Sequence, residues 1–224
     1  MLNFVSVCTE AYPMIYAEKL HKRFSNVSNL NANHYCITDR PKEVGTWAKP
    51  LTPSKMSAGW WNKLNLFSPE MPAGKILYMD LDIVIIQNFD DEIKSMLDHP
   101  STMHCVSDAV HWMGEKFSSS LMLFDSGVHS HIYEAFAVAD ETLIERPGGD
   151  QVWVGPQLKR INFIDEQFPN LKKNLKFHLA KRDKDQFHVP RYLPPEVKLV
   201  DCGGRPKPDQ LAFLPFIKSN WHDI

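Results

Sequence analysis

Sulfur chemistry is scarce in this 224-residue chain: its four cysteines, Cys8, Cys36, Cys105 and Cys202, are widely spaced, and no two form a CxxC pair. That excludes a disulfide-stapled scaffold or a cysteine-rich zinc module. Cys8, Cys36 and Cys105 sit in or beside apolar runs, where a thiol behaves as a small hydrophobe, so a reducing compartment is expected. No apolar run approaches the roughly 18 residues that would cross a bilayer, so no transmembrane segment is expected. No long basic run is present and the formal net charge is -2, which argues against a nucleic-acid partner, whose binder would carry a basic face. The ten histidines show no HExxH or comparable spacing, and no zinc site is assigned. A Gly-x-Ser-x-Gly elbow and a P-loop are both missing, which removes the commonest serine-hydrolase and NTPase readings. Nothing with a basic start and a long apolar stretch precedes Asn3-Phe4-Val5-Ser6-Val7, so no signal peptide and a cytoplasmic location are expected. There is no internal repeat and no low-complexity tract.

What is present is ordinary globular material, 43% hydrophobic and 23% charged, enough for one domain with a sizeable core. Residues 2–8 read as a buried strand. Tyr16, Leu20 and Phe24 then recur at steps of four, one face of a helix. His34–Thr38 is a second short strand, stopped by Asp39-Arg40-Pro41. Residues 40–58, with three prolines, read as a loop. Gly59–Phe67 has helical spacing at Trp60, Lys63, Leu64 and Phe67. The strongest strand, Ile76-Leu77-Tyr78-Met79, runs directly into Asp80-Leu81-Asp82, and Ile83–Ile86 is a second β-branched run. Asp90 or Asp91 caps a short helix containing Ile93, Met96 and Leu97. Residues 103–107 and 119–124 read as strands, and His131–Ile144 as a helix with Ile132, Phe136 and Ala139 inward. Gly148-Gly149 breaks the chain before Asp150-Gln151. Strands alternating with helices predict an α/β fold, a single Rossmann-like mixed sheet flanked by helices with a mostly parallel centre. Residues 1–224 are expected to form one domain, wrapped from about 180 onward by an irregular, proline-rich tail.

Asp80 and Asp82 are the sharpest chemical feature. Two residues apart on an extended strand, their side chains share a face, and they lie at a strand end, the edge where open α/β sheets bind ligands. Carboxylate oxygens suit Mn²⁺ or Mg²⁺, which complete their shells with phosphate oxygens and water. Solvated strand-end aspartates are the bland alternative. Against it, apolar strand lies on both sides (ILYM before, IVII after), and buried carboxylates without a cation are costly. Lys63 lies one element earlier, within reach of a diphosphate or simply snorkelling at the surface. Trp60 and Trp61 read as core or rim aromatics. Asp150-Gln151, after a Gly-Gly turn, fits either a cleft or a helix start. Gly203-Gly204-Arg205-Pro206-Lys207-Pro208 offers flexible backbone and two cations, a phosphate clamp or a polar turn.

Taken in order, these segments resemble glycosyltransferase family 8, the glycogenin and lipopolysaccharide galactosyltransferase group. The resemblance is carried by Thr9-Glu10-Ala11-Tyr12, Trp61-Asn62-Lys63-Leu64, the block KILYMDLDIVIIQNFDD at 75–91, Phe117–Asp125, Asp150-Gln151 and Gly204-Arg205-Pro206-Lys207-Pro208. It implies a GT-A fold and retaining transfer of a sugar from a nucleoside-diphosphate sugar, a UDP-sugar by preference, to an acceptor hydroxyl on an unidentified glycan, lipid or protein. Thr9 and Tyr12 match base-contacting positions and Lys63 a basic residue near the donor. Asp80 and Asp82 match the metal and ribose ligands, and Lys207 the lysine on the diphosphate. Asp108 and Asp150 look like sugar-hydroxyl partners, and Gln151 like the residue facing the reacting carbon. The sequence departs from the family pattern in two places. Where the family has a metal-binding histidine before its Lys-Pro motif, the chain reads Cys202-Gly203-Gly204; His222 in the tail is the candidate replacement, with a frayed terminal residue as the bland alternative. Where the family has an asparagine, the chain reads Phe117-Ser118-Ser119-Ser120. A sugar nucleotidyltransferase would need a glycine-rich, arginine-containing loop in place of Val7-Cys8-Thr9-Glu10-Ala11-Tyr12. A catalytically silent nucleotide-sugar binding module is the alternative from another class.

Overall fold

The computed structural model describes residues 1–224 except 11, 101, 109–113, 115, 146 and 184–185. Its frame is a seven-stranded sheet. The strands β1 (Leu2–Val7), β2 (Ala32–Ile37), β3 (Lys49–Leu51) and β4 (Lys75–Met79) form a parallel half in the order β3-β2-β1-β4. β5 (Ile83–Ile85) leaves this sheet. Beyond β4 the order continues through β7 (Phe117–Asp125), β6 (Met103–Ser107) and β8 (Ile161–Phe163). β7 runs antiparallel to both β4 and β6, while β6 and β8 are parallel. The expected parallel centre therefore holds on one side of β4 only. A second sheet sets β12 (Leu199–Asp201) between β5 and β9 (Lys172–Asn174), and β10 (Lys181–Asp183) pairs with β11 (Gln186–His188).

The pleat explains the layers. Successive strand residues face opposite sides of a sheet, so Phe4, Leu77 and Met79 enter one core while Val5, Ile76 and Tyr78 enter the other. In the first core, helix α1 (Met14–Val27) lays down Tyr16, Leu20 and Phe24, and Phe24 stacks on Phe4 with ring centres 4.2 Å apart. Helix α2 (Asp90–Asp98) and the small sheet complete it through Ile93, Met96, Leu199 and Val200. In the second core, Trp61, Leu64 and Phe67 from a 3-10 helix at Gly59–Phe67 meet Ile132 and Phe136 of α3 (Ser130–Val138). β4 is thus apolar on both faces, as a central strand must be.

Three expectations need correction. Residues 40–58 contain β3, whose Pro50 is tolerated because β3 is an edge strand and its missing N–H leaves no ladder bond unmade. The helix expected over His131–Ile144 ends at Val138, and a separate 3-10 turn spans Glu141–Glu145, where the Thr142 N–H donates to the Asp140 carboxylate at 3.0 Å. The tail is more than a wrapper, because β12 is the middle strand of the small sheet. Three short helices, α4 (Gly149–Val154), α5 (Ile164–Gln167) and α6 (Pro215–Ile217), follow α3, and beyond α6 the chain end returns to α1. There Trp221 packs edge-on against Tyr16 with centres 5.1 Å apart, and Arg23 donates to the carbonyls of Ile85 and Ile86 and to Asn220. No helix among the described residues is long and apolar enough to cross a membrane.

Candidate active site

The ends of β4, β1 and β12 meet at a cleft of about 820 Å³, a volume suited to a nucleotide-sized ligand. Asp80 leaves β4 as its N–H donates to the Ser120 carbonyl at 2.8 Å, and the Ile83 N–H closes the turn on the Asp80 carbonyl at 3.1 Å. Leu81 between them is buried in the core, and both aspartates line the cleft. Thr9, Tyr12, Trp60, Lys63, Asp108, Gln151, Arg205 and Lys207 line it as well. All the candidate site residues therefore line the cleft except two. Asp150 is buried next to Gln151, under the surface of the cleft, and His222 is turned away. The His222 Nε2 lies 3.0 Å from the Pro208 carbonyl, and His222 is not among the lining residues.

The core of the site is a set of four carboxylates held by three ammonium groups, one of them shared. Lys63 Nζ lies 2.9 Å from Asp80 Oδ1 and 3.5 Å from Asp150 Oδ2, and donates to Ser119 Oγ at 3.1 Å. The Tyr78 hydroxyl donates to the same Asp80 oxygen at 2.6 Å. Lys207 Nζ lies 2.5 Å from Asp82 Oδ2 and donates to the Tyr12 hydroxyl at 2.6 Å, and Tyr12 in turn donates to Asp82 at 3.3 Å. Lys172 Nζ lies 2.6 Å from Asp201 Oδ2 and donates to Ser120 Oγ at 2.8 Å, while the Gly203 N–H donates to Asp201 Oδ1 at 2.8 Å. Buried charge is tolerable only when paired in this way.

The electrostatics follow from these pairs. Burial, with Asp80 and Asp201 close by, raises the Asp82 carboxyl above its ordinary value against the pull of Lys207. Burial also raises Asp150, with Lys63 opposing. Burial works to raise Asp201, but Lys172 overcomes it and holds that carboxyl low. On the other side of the pairs, burial would lower the lysines. Asp150 and Asp80 nonetheless keep Lys63 above the usual lysine value, and Asp82 pushes Lys207 up to about 12.

Asp201 and Lys172 escaped the sequence reading, although Asp201 carries the same signature as Asp80: an apolar strand, Leu199-Val200, running into an aspartate. Lys172 had no such signal, because it reaches Asp201 only through the pairing of β9 with β12. Gly203 also acquires a local reason. A Cβ there would lie 3.0 Å from Asp201 Oδ1, so the turn that carries this carboxylate has little room for a side chain. Trp60 stands on the rim, 60% exposed, against Gly149, whose φ of 62° and contact with the indole both require glycine.

A divalent ion needs several donor atoms turned to one point. Here an ammonium holds one oxygen of each of Asp80, Asp82 and Asp201, and no histidine lines the cleft among the described residues. Among the described residues no group of three or more His, Cys, Asp or Glu side chains is arranged to hold an ion. This donor set does not fit the expected Mn²⁺ or Mg²⁺.

No protein-family model matches the sequence, and a search of curated proteins finds no match. Solved structures do match. The glycosyltransferase GlyE of Streptococcus pneumoniae TIGR4 is similar over 99% of this chain at 14% identity, with a TM-score of 0.63. The apo structure of the bifunctional glycosyltransferase WbbM covers 98% at 13% identity, with a TM-score of 0.64. The galactosyltransferase LgtC, solved with donor and acceptor sugar analogues, covers 98% at 12% identity, with a TM-score of 0.58. The chain spans 60% of the GlyE chain, 49% of the WbbM chain and 93% of the LgtC chain. Likeness at this identity establishes the fold: a central mixed sheet flanked by helices, of the GT-A glycosyltransferase type.

Proposed function

We propose that the chain is a glycosyltransferase that moves a sugar from a nucleoside-diphosphate sugar, a UDP-sugar by preference, to an acceptor hydroxyl with retention at the anomeric carbon. The observation that carries this reading is the polarity of the cleft. Lys207, paired with Asp82, and Arg205 bring positive charge to its lining, and Gln151 and Asp108 bring hydrogen-bonding side chains. The diphosphate belongs against Lys207 and Arg205, with Lys63 behind Asp80. The base belongs beside Thr9 and Tyr12, and the sugar hydroxyls near Asp108, with Asp150 supporting Gln151 from below.

In this reading the bond between the anomeric carbon and the diphosphate oxygen lengthens first, and negative charge collects on the departing oxygen. Lys207, turning from Asp82, and Arg205 are the donors that meet that charge, and a donor of this kind is worth roughly 3–4 kcal/mol of barrier. The acceptor hydroxyl attacks from the same face while the departing diphosphate oxygen takes its proton. Gln151 contacts the sugar as positive character grows at the anomeric carbon. No step here runs through a metal ion.

The test is a panel of UDP-, GDP- and ADP-sugars incubated with the purified chain, followed by mass spectrometry of released nucleoside diphosphate and of glycosylated products. Turnover of one donor is expected, and Lys207→Ala should reduce it by about 10²–10³-fold. Binding without turnover of any donor would favour the silent binding module, and neither binding nor turnover would sink the reading.

A further inference from the structure

A GT-A cleft without a fitting metal set must neutralise a diphosphate by other means. Four carboxylates, Asp80, Asp82, Asp150 and Asp201, crowd the floor and underside of this cleft. Left bare in a poorly solvated pocket they would repel each other and any phosphate. Lys63 answers Asp80 and Asp150, Lys207 answers Asp82 and Lys172 answers Asp201, and Arg205 adds a further positive charge at the wall, so each of the four has a cation beside it before a ligand enters.

The pair Lys172–Asp201 distinguishes this arrangement from a metal site whose lysines have merely drifted in. Its side chains are 8% and 11% exposed, so neither belongs to the mobile surface. Lys172 is anchored from two sides, by Asp201 and by Ser120 Oγ at 2.8 Å. Its backbone is fixed by the strand register that sets Leu199 opposite Lys172 and Asp201 opposite Asn174. The second Asp201 oxygen accepts from the Gly203 N–H at 2.8 Å, so both oxygens of this carboxylate already have a partner in the protein. An ion bridging Asp82 and Asp201 would stand beside two ammonium groups with little solvent between, and like charges at that range exclude one another. Lys207, by contrast, has a side chain 24% exposed and sits at the cleft surface, able to turn from Asp82 to a phosphate oxygen.

We propose that this site binds its nucleoside diphosphate without a divalent ion, with Lys172 neutralising Asp201 at the floor position an ion would otherwise occupy and Lys207 and Arg205 meeting the phosphates directly. The inference rests on the nucleotide-sugar reading above and deepens it. Lys172 acts through Asp201 and is a positioning residue.

The experiment is isothermal titration of UDP, with GDP, ADP and CDP alongside, into metal-stripped full-length protein in EDTA, in excess Mg²⁺ and in excess Mn²⁺. The same titrations are run on Lys172→Met. For the unmodified protein the Kd for the preferred nucleotide should agree within about twofold across the three buffers. Lys172→Met should bind about tenfold more weakly in EDTA, equivalent to ~1.4 kcal/mol, and Mn²⁺ should recover most of that loss by settling between the freed carboxylates, an effect that a merely structural lysine would not produce. Binding that strengthens tenfold or more when Mn²⁺ is added to the unmodified protein overturns the inference and leaves the nucleotide-sugar reading standing. If no nucleoside diphosphate binds in any buffer, that reading fails and the inference with it. Lys172→Met that binds as tightly as the unmodified protein in EDTA refutes the part given to Lys172. If the variant does not fold, as its circular dichroism would reveal, the titrations of the unmodified protein decide alone.

Discussion

Lys63→Met removes the cation that two carboxylates share while keeping most of the volume of the stem. The Lys63 side chain is 14% exposed and that of Asp150 only 7%, so the Asp150 charge is left with almost no water to replace its partner. Breaking a buried pair typically costs 3–5 kcal/mol. Asp80 is 24% exposed and keeps the Tyr78 hydroxyl, which places the expected loss near the lower end, about 3 kcal/mol. With a urea slope of about 3 kcal/mol per molar for a chain of this size, the unfolding midpoint should fall by about 1 M. The pH dependence separates this cause from simple loss of packing. Burial already holds the Asp150 carboxyl above its unfolded value, and Lys63 opposes that rise, so the variant raises it further. A carboxyl whose folded value exceeds its unfolded value loses stability on ionising, so the penalty grows as pH rises through that window. Urea melts at about pH 5 should therefore show a smaller deficit than melts at about pH 8, and adding Asp150→Asn to Lys63→Met should recover much of the pH 8 loss. A midpoint shift below about 0.2 M, or one independent of pH, would refute the reasoning.

Gly149→Ala should lower the melting temperature and impair turnover, since the new methyl overlaps the Trp60 indole and the backbone keeps its φ of 62°; strain of this kind costs on the order of 1–3 kcal/mol, and a calorimetric scan checks it. Trp221→Ala should destabilise by about 3–5 kcal/mol in urea, because a buried indole against Tyr16 is lost where the chain end meets α1. Lys207→Ala should weaken UDP binding by roughly 10–150-fold, the worth of one charge-assisted hydrogen bond, as calorimetry would read. The four thiols should resist a neutral aromatic disulfide reagent until urea unfolds the chain, since all are buried and burial pushes Cys8 up to about 12 and Cys36 to about 11.

Local signals and long-range ones fared differently in the sequence. The 75–91 block was legible because an uninterrupted apolar strand that runs into two aspartates sets costly charge at the edge of a buried sheet. Gly59–Phe67 was bounded correctly by its aromatic spacing, although its turns are 3-10. β3 was hidden because three residues around a proline give no periodicity. The antiparallel placement of β7 was hidden too, since three buried serines interrupt its apolar run and direction is fixed only by the partners β4 and β6. In the site, residues on or next to β4 and in the Gly-Arg-Pro-Lys-Pro turn could be named from local pattern. Asp201 and Lys172 lie 29 positions apart and meet only when β9 and β12 align, so no local pattern announces the pair. His222 shows the converse: a plausible ligand by type, it is drawn to the Pro208 carbonyl by the way the chain end folds back.

The most direct test of the central claim is a crystal structure of this chain soaked with UDP and, separately, with a hydrolysis-resistant UDP-sugar. The account predicts the diphosphate within hydrogen-bond distance of Lys207 and Arg205, the uracil beside Thr9 and Tyr12, and the sugar against Gln151 and Asp108. Nucleotide density elsewhere on the molecule, or a cleft that stays free of ligand at saturating UDP, would contradict it.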